Sequence, residues 1–463
     1  MKTRVEVDPL GEKEIPESAY YGIQTLRATE NFPVSGIKAP RPFIEAYVMV
    51  KKAAALANAE VGWLDAERKK AIVQACDEVL SGNLLEQFVV DVYQAGAGTS
   101  FNMNVNEVLA NRALEILGKK KGDYKSVGPN DHVNMGQSTN DTFPTATHLA
   151  VLMALQPLLK ALDELADAFE KQSRKHLKTV KSGRTHLQDA VPVTVGQEFS
   201  GYASALRHAC DHLRERQKNL YVLALGGTAA GTGANAHPKY KQLAIAELGK
   251  IAGFPLKPAA NSFEALQSYR PVQTVSSGLK ELALELIRIA NDLRLLSSGP
   301  TTGLAEIELP AVQPGSSIMP GKVNPVMAEC LDMVAFQVVG NDLTVSFAVQ
   351  AGQMELNVMM PVIMHNMLFS IRILTSYLPV FRSKCVEGIK VNEKRCFQYL
   401  EKNPALATFL SPHIGYLEAA KIAKQALEEG RSVKEIALEK GLLKPEELER
   451  ILDPKRLLNK DDE

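Results

Sequence analysis

Four segments of the chain are dense in uncharged hydrogen-bonding side chains, and these residues could do chemistry together. The segments are residues 96–104, 137–141, 183–189 and 315–325. Together they supply Thr, Ser, Asn, His and Lys, and they lack a carboxylate pair and a metal cluster. That composition suits the binding of a small dicarboxylate and the removal of a proton next to one carboxylate. Such a reaction builds up a doubly charged aci-carboxylate, which needs hydrogen-bond donors and a cation around it.

The fourth segment has the most defined shape. Two glycines and two prolines punctuate eleven residues, which also contain the adjacent serines Ser316 and Ser317, the lysine Lys322 and the asparagine Asn324. Backbone amides exposed in a Gly-rich loop, together with one lysine, form an anion hole. Such a loop could stabilise an alkoxide or hold a carboxylate.

The other three segments have simpler explanations when each is taken alone. Gly-Thr-Ser around Thr99 and Ser-Thr-Asn at residues 138–140 are good turn and N-cap sequences. Each is better explained as a cap than as a site, and His186 alone is explained equally well as a structural histidine. The hypothesis of a common site therefore depends on all four segments together.

Charge and cysteine usage exclude several classes of protein. Lys and Arg number 53 and Asp and Glu number 53, so the formal net charge is zero and we expect neither a nucleic-acid nor a membrane partner. The five cysteines are scattered without a CxxC pair, which argues against a disulfide framework or a zinc module and for a reducing compartment. No signal-peptide core and no run near the ~20 apolar residues of a bilayer span is present. We expect a cytoplasmic protein with no metal or other cofactor.

Motifs of other enzyme classes are missing from the sequence. There is no GxSxG elbow of a serine hydrolase and no HExxH motif of a metalloprotease. Residues 226–233 superficially resemble a dinucleotide-binding loop, but no βαβ pattern surrounds them and no GK[ST] follows. We interpret them as a tight connection between helices.

Helical periodicity dominates the middle of the chain. In residues 275–296 apolar side chains recur at alternating spacings of four and three, which form a coiled-coil-like seam along one side of the predicted helix. Further apolar residues lie outside this seam. A helix that is apolar on several sides is buried on several sides, as in a bundle shared between subunits. The pattern predicts five long helices between about 145 and 390, joined by residues 177–195, 225–240 and 297–324. The predicted class is mainly α, with boundaries near 140 and 392.

The fourth segment, GSSIMPGKVNP, resembles the signature loop of the aspartase/fumarase superfamily, GSSxMPxKxN, and matches it at every specified position. GTSFNMNVNEVLANRA, QSTNDTFPTA and GRTHLQDAVPVTVGQE also look like family blocks in family order. The resemblance implies an all-α fold of three domains, at 1–140, 141–392 and 393–463, with a central bundle of five long helices. It further implies a homotetramer with a twenty-helix core, active sites shared by three subunits, and reversible anti-elimination from a succinyl compound to give fumarate.

The resemblance also assigns roles to the residues of the fourth segment. Ser316 resembles the general base that removes the Cβ proton, and its anion would need stabilisation by the loop amides. Lys322 would balance the carboxylate charge, Asn324 would hydrogen-bond the substrate, and Ser317 would lend a further hydrogen bond.

The remaining roles fall on the other three segments and on one glutamate. Thr185 and His186 would contact the carboxylate next to the carbon that loses its proton. Glu329 matches the glutamate that orients and charges this histidine in the family, although a helix-surface charge explains it as well. The rest of the substrate would be held by Thr99, Ser138, Thr139 and Asn140.

The leaving group divides the family, and the chain carries signs of both kinds. Ser100 and Thr139 match the aspartase versions of their segments, which indicates elimination of ammonia from L-aspartate. Gly227 belongs to a fumarase-like block, and Met360 stands where aspartases usually carry Glu, so elimination of water from L-malate is the alternative. Thr301 replaces an arginine common to both groups.

A non-catalytic helical oligomer on the same scaffold is a further alternative. Buried polar groups destabilise a fold unless they are satisfied, and a protein released from catalysis has no physical need to keep them. The intact set of Ser316, Lys322, Asn324 and His186 therefore favours an enzyme.

Overall fold

The computed structural model describes residues 2–454 and 456–458, and helices dominate it. The α-helices of the described residues are α1 Ile23–Asn31, α2 Arg41–Glu60, α3 Ala66–Leu80, α4 Thr99–Ile116, α5 Thr139–Lys175, α6 Val195–Gln217, α7 Tyr240–Ala252, α8 Ser262–Gln267, α9 Arg270–Leu296, α10 Val326–Gln350, α11 Met360–Lys384, α12 Glu393–Lys402, α13 Ser411–Ile414, α14 Tyr416–Glu429, α15 Val433–Glu439 and α16 Pro445–Ile451. The predicted all-α class is confirmed. None of these helices has the length and apolar composition needed to span a bilayer.

The strands are short and form two-stranded sheets. They are β1 Thr3–Asp8, β2 Gly11–Pro16, β3 Val180–Thr185, β4 Gln188–Thr194, β5 Val222–Leu223, β6 Lys257–Pro258, β7 Ile307–Glu308 and β8 Lys390–Val391. β1–β2, β3–β4 and β7–β8 pair antiparallel, whereas β5 and β6 pair parallel. The predicted connection at 177–195 is therefore a β-hairpin.

The chain divides into two compact units. The first unit contains Met1–Leu159, Asp211–Ala283 and Phe336–Thr375, and the second contains Lys160–Cys210, Leu284–Ala335 and Ser376–Glu463. The boundaries fall inside the five longest helices, α5, α6, α9, α10 and α11. Each unit therefore contains part of every long helix.

The core of the first unit is built around aromatic residues of three helices. Phe43 and Tyr47 of α2, Phe101 of α4 and Phe143 of α5 are fully buried, with ring centroids 4.9–6.0 Å apart. Such tilted and edge-on pairs add to the free energy gained from burial of the rings. They fix the start of α4 and the start of α5, which carry two of the four polar segments.

In the second unit the five long helices contact one another in a closed ring. The contacts are Phe169–Phe199 between α5 and α6, Tyr202–Asp292 between α6 and α9, Arg294–Asp332 between α9 and α10, Tyr377–Met327 between α11 and α10, and Arg382–Glu164 between α11 and α5. The seam of α9 is buried along its whole length, from Val275 to Leu296. The predicted five-helix bundle is confirmed.

Candidate functional site

Ser316 lies in the loop between β7 and α10, where two backbone amides point at its side chain. Its Oγ accepts hydrogen bonds from the N–H groups of Ile318, at 3.2 Å, and Met319, at 3.0 Å. Two N–H dipoles directed at one oxygen stabilise negative charge on that oxygen. The hydroxyl is therefore in an environment suited to a serine that loses its proton.

The same loop closes on itself through its other polar residues. The Gly315 N–H donates to the Lys322 carbonyl at 2.8 Å, and Asn324 Nδ2 donates to the Gly315 carbonyl at 2.6 Å. A Cβ atom at Gly315 would lie 2.4 Å from the Lys322 carbonyl oxygen, so only glycine fits this approach. The structure thus places Ser316, Ser317, Lys322 and Asn324 on one loop, with the side chains of Ser317 and Lys322 exposed.

Thr185 and His186 lie at the tip of the β3–β4 hairpin, and both are exposed. Thr185 pairs with Gln188, so His186 and Leu187 form a two-residue turn. Both turn residues have positive φ, of 55° and 58°. This conformation favours Gly or Asn, and in Leu it stores backbone strain, which is frequent at functional sites.

Glu329 lies in the first turn of α10 and is partly exposed. Within the described residues of one chain, no hydrogen bond or ion pair joins Glu329 to His186. The orienting role of Glu329 stays a prediction. One turn further along α10, burial raises the pKa of Asp332, with Arg294 opposing that effect.

The first unit holds the other predicted residues at two helix N-termini. Thr99 is the first residue of α4 and follows Gly98, which has φ of 81°. A Cβ atom at Gly98 would lie 2.1 Å from the Phe143 ring, so glycine is required for the turn that delivers Thr99. Ser138, Thr139 and Asn140 stand at the start of α5.

A buried aspartate that we had not singled out organises the start of α5. Asp141 Oδ1 accepts the N–H of Ser138 at 3.0 Å, and Oδ2 accepts those of Gly226 and Thr228, each at 2.9 Å. Burial raises the pKa of Asp141 to about 6, against the lowering effect of these three bonds. Asn140 Nδ2 donates to the Ala229 carbonyl at 2.7 Å. The glycine-rich loop beginning at Gly226 therefore lies against the predicted substrate residues.

Lys51 is a second residue that the sequence analysis missed. It is fully buried in α2, and its Nζ donates to Asn102 Oδ1 at 2.8 Å and to Asn134 Oδ1 and Gln137 Oε1, each at 2.9 Å. Burial lowers the pKa of Lys51 to about 7. The ammonium thus connects α4, three residues after Thr99, to the turn before Ser138. A lysine within the apolar run of α2 was the available signal.

The predicted residues fall into separate groups. The loop group and the hairpin group lie in the second unit, and the two helix-start groups lie in the first unit. Among the described residues, no group of three or more His, Cys, Asp or Glu side chains could hold a metal ion.

Comparisons with known proteins identify the family. The model of the family described as "Lyase" matches residues 11–340, and the model described as "Fumarase C C-terminus" matches residues 406–459. The chain belongs to this family of lyases, the aspartase/fumarase superfamily, as its signature loop predicted.

The named relatives include both ammonia-lyases and a fumarate hydratase. An aspartate ammonia-lyase of Bacillus subtilis (strain 168) is 51% identical, covering 97% of this chain and 95% of that protein. A class II fumarate hydratase of Thermosynechococcus vestitus is 47% identical, covering 97% and 96%. A crystal structure described as fumarate lyase:delta crystallin from Brucella melitensis bound to cobalt is 51% identical, with a TM-score of 0.96 and coverage of 98% and 99%.

Proposed function

We propose that this protein is an aspartate ammonia-lyase, which converts L-aspartate reversibly to fumarate and ammonia. The observation that carries the proposal is the pair of backbone N–H groups directed at Ser316 Oγ. A serine hydroxyl is a poor base in water, and it becomes a useful one only where its anion is stabilised. The signature loop thus has the electrostatic feature that proton abstraction requires.

In the proposed mechanism, Ser316 first releases its own proton to solvent, and its alkoxide Oγ, stabilised by the two N–H groups, then takes the Cβ proton of the substrate and becomes a hydroxyl again. The electron pair of the C–H bond moves into the adjacent carboxylate, which becomes an aci-carboxylate with an additional negative charge. Thr185 and His186 would donate hydrogen bonds to it, and Lys322 would balance its charge. The electron pair then returns to form the C–C double bond while the C–N bond breaks, which gives fumarate and ammonia.

The substrate's remaining groups would be held by Thr99 and by the residues that start α5. These side chains are neutral, so they can accept hydrogen bonds from an ammonium group without a competing cation. Ser317 and Asn324 would add hydrogen bonds from the loop. Glu329 would orient His186 from α10.

Elimination of water from L-malate is the second candidate. The fumarase-like block at residues 225–228, which contains Gly227, directly precedes Ala229, whose carbonyl accepts a hydrogen bond from Asn140. A block that differs between the two reactions therefore lies next to the contact of a proposed substrate residue. Ser100 and Thr139 still favour ammonia, as do the aspartate ammonia-lyases among the relatives.

A homotetramer with a twenty-helix core and sites shared by three subunits completes the proposal. Phe336, Leu343 and Phe347 follow the spacing of a coiled-coil seam on α10, yet they are 57%, 59% and 64% exposed in the single chain. Exposed apolar stripes of this kind are typical of interfaces, and a second copy of the chain would cover this one. We further propose the three-domain division at 140 and 392 and a cytoplasmic location.

The test follows the ultraviolet absorbance of fumarate with L-aspartate and L-malate in separate reactions. We expect fumarate from L-aspartate, and we expect Ser316→Ala to lower turnover by about a thousandfold or more, as removal of a catalytic base typically does. The matched control is Ser81→Ala, which changes an exposed serine at the end of α3. Fumarate from L-malate alone would establish the second candidate, and normal turnover in Ser316→Ala would refute the assigned base.

A further inference from the structure

Four charged side chains lie together behind the β3–β4 hairpin, within the second unit. Lys181 and Arg184 belong to β3, Glu198 to α6, and Glu306 directly precedes β7. Lys181 Nζ lies 2.7 Å from Glu306 Oε2 and 2.9 Å from both carboxylate oxygens of Glu198. Arg184 and Glu306 form two parallel hydrogen bonds, of 3.0 and 2.9 Å. The two cations and two anions balance one another.

Glu306 is the centre of this cluster and is fixed in place. Its side chain is 0% exposed, and of the two carboxylates in the cluster it is the one that binds both cations. Its N–H donates to the Leu296 carbonyl at the end of α9, and its carbonyl accepts from the N–H of Asn392, which caps α12. A bidentate bond to a fixed carboxylate also fixes the direction of the arginine.

Arg184 transmits this constraint to the tip of the hairpin. It directly precedes Thr185, and its guanidinium also lies 5.6 Å from the centre of the Tyr399 ring. Burial lowers the pKa of Arg184, but the bonds to Glu306 and the negative charges of Glu306, Asp189 and Glu198 together outweigh that effect, so the pKa is raised. The arginine is therefore charged and held on two sides.

The turn itself needs such support. His186 and Leu187 both have positive φ without being glycine, so the turn does not favour its own conformation. Strained backbone persists only where the surrounding structure over-determines it. In this hairpin, Arg184 binds Glu306 two residues before the first strained residue, and Lys181 binds the same carboxylate three residues further back along β3.

We propose that Glu306 is a positioning residue, which holds Thr185 and His186 in place for catalysis through its bonds to Arg184 and Lys181. The proposal rests on the proposed function only in that Thr185 and His186 contact the substrate. In Glu306→Gln the volume is kept, but Arg184 loses its charged bidentate partner, and the buried Lys181 and the partly buried Arg184 share one remaining carboxylate of the cluster. The hairpin tip should then leave its strained conformation.

The first readout needs no catalysis. Hydrogen exchange of peptides that cover residues 184–189 should be about tenfold faster in Glu306→Gln than in the unchanged protein, because local opening requires less free energy. Glu308→Gln is the matched control, because it removes the same charge only two residues away from Glu306. The Glu308 side chain is exposed, and its ion pair with Lys390 is 3.6 Å long. Glu198→Gln should have a smaller effect, because Glu198 contacts Lys181 alone within the cluster. Unchanged exchange at the tip in Glu306→Gln would overturn the proposal.

The second readout measures whether Glu306 acts through Thr185 and His186. A misplacement of about 1 Å can lower a rate by about 100-fold, so we expect kcat/KM for L-aspartate to fall by about 10- to 100-fold in Glu306→Gln. In a background that carries both Thr185→Val and His186→Ala, the same change should lower kcat/KM by less than about threefold. Multiplied losses in that combined variant would refute positioning through Thr185 and His186.

Two other results, a variant that does not fold and an unchanged protein without activity, can be distinguished from failure of the proposal. If Glu306→Gln does not fold, Arg184→Lys keeps the charge and removes the bidentate geometry, and the same two readouts apply to it. If the unchanged protein makes no fumarate, the proposed function fails, while the exchange measurement still decides whether Glu306 holds the hairpin.

Discussion

Lys51→Met tests whether a buried ammonium connects the two predicted helix starts of the first unit. Methionine is unbranched and apolar, so it can fill the space of the lysine stem without its charge. The change removes the donor shared by Asn102, Asn134 and Gln137. It also removes a titrating group whose pKa burial lowers from 10.5 to about 7.

The expected change in the free energy of unfolding follows from that difference in pKa. One pKa unit corresponds to about 1.4 kcal/mol, so the lowering of the Lys51 pKa corresponds to about 5 kcal/mol. Between about pH 7 and pH 10.5 the unfolded chain holds the Lys51 proton, whereas the native state has released it. The free energy of unfolding of the unchanged protein therefore rises with pH through this window by up to about 5 kcal/mol, and Lys51 contributes no slope below about pH 7.

Lys51→Met should lack this rise. At pH 6 two effects oppose each other, because the variant avoids burying a charge but leaves three amide oxygens without a donor, each worth about 1–3 kcal/mol. The absolute difference at pH 6 is therefore expected to be small. The difference between the two proteins should then grow by about 4 kcal/mol between pH 6 and pH 10.

Urea unfolding at fixed protein concentration, followed by circular dichroism at steps between pH 6 and pH 10, measures this difference. Fixed concentration matters because subunit association shifts the apparent stability. Lys70→Met, at an exposed position of α3, is the matched control and should change the free energy of unfolding by less than about 0.5 kcal/mol at each pH. Parallel pH curves for Lys51→Met and the unchanged protein would refute the reasoning.

Two further predictions concern the assembly and stability in acid. Mixing Ser316→Ala and His186→Ala proteins under conditions that exchange subunits should restore part of the activity, since some mixed sites contain only unchanged residues; no recovery after exchange verified by native mass spectrometry would contradict shared sites. Burial lowers the pKa of His148, whose Nδ1 lies 3.1 Å from the Val222 carbonyl oxygen, from 6.5 to about 4. The unfolded chain therefore takes up this proton first, so the free energy of unfolding should fall by about 3 kcal/mol from pH 6.5 to pH 4. His148→Gln should remove that part of the fall in urea unfolding, and an equal fall in both proteins would count against it.

The helices could be predicted because their signals are local. The seam of α9 repeats within one helix, and each of its residues is buried as its period requires. Elsewhere in the chain, the capping box of Ser432 and Glu435 starts α15 and Pro445 starts α16, and both signals are likewise contained in a few neighbouring residues. Such signals need no knowledge of distant parts of the chain.

The β3–β4 hairpin was missed because its turn lacks the usual signal. Two-residue hairpin turns are normally marked by Asn-Gly or a similar pair. Here His186 and Leu187 occupy the positions with positive φ, and neither residue predicts a turn. The sequence analysis therefore assigned a connection to residues 177–195, although it selected Thr185 and His186 as candidate site residues.

The predicted contact residues are neutral or exposed, and buried charges to which the sequence analysis gave no role hold their surroundings. Asp141 binds three backbone N–H groups, two of them from a loop 85 and 87 residues away. Lys51 gathers three amide side chains, and Glu306 reaches Arg184 over 122 residues. A charged group that is buried destabilises the fold unless its hydrogen bonds are made in a defined geometry. Because these hydrogen bonds are directional and apolar contacts are not, the buried charges can fix the backbone at a specific position. A search for dense polar segments selects candidate contact residues, because those cluster along the sequence. It assigns no role to their anchors, even to Asp141 inside the second segment, because the function of an anchor depends on partners that only the fold brings together.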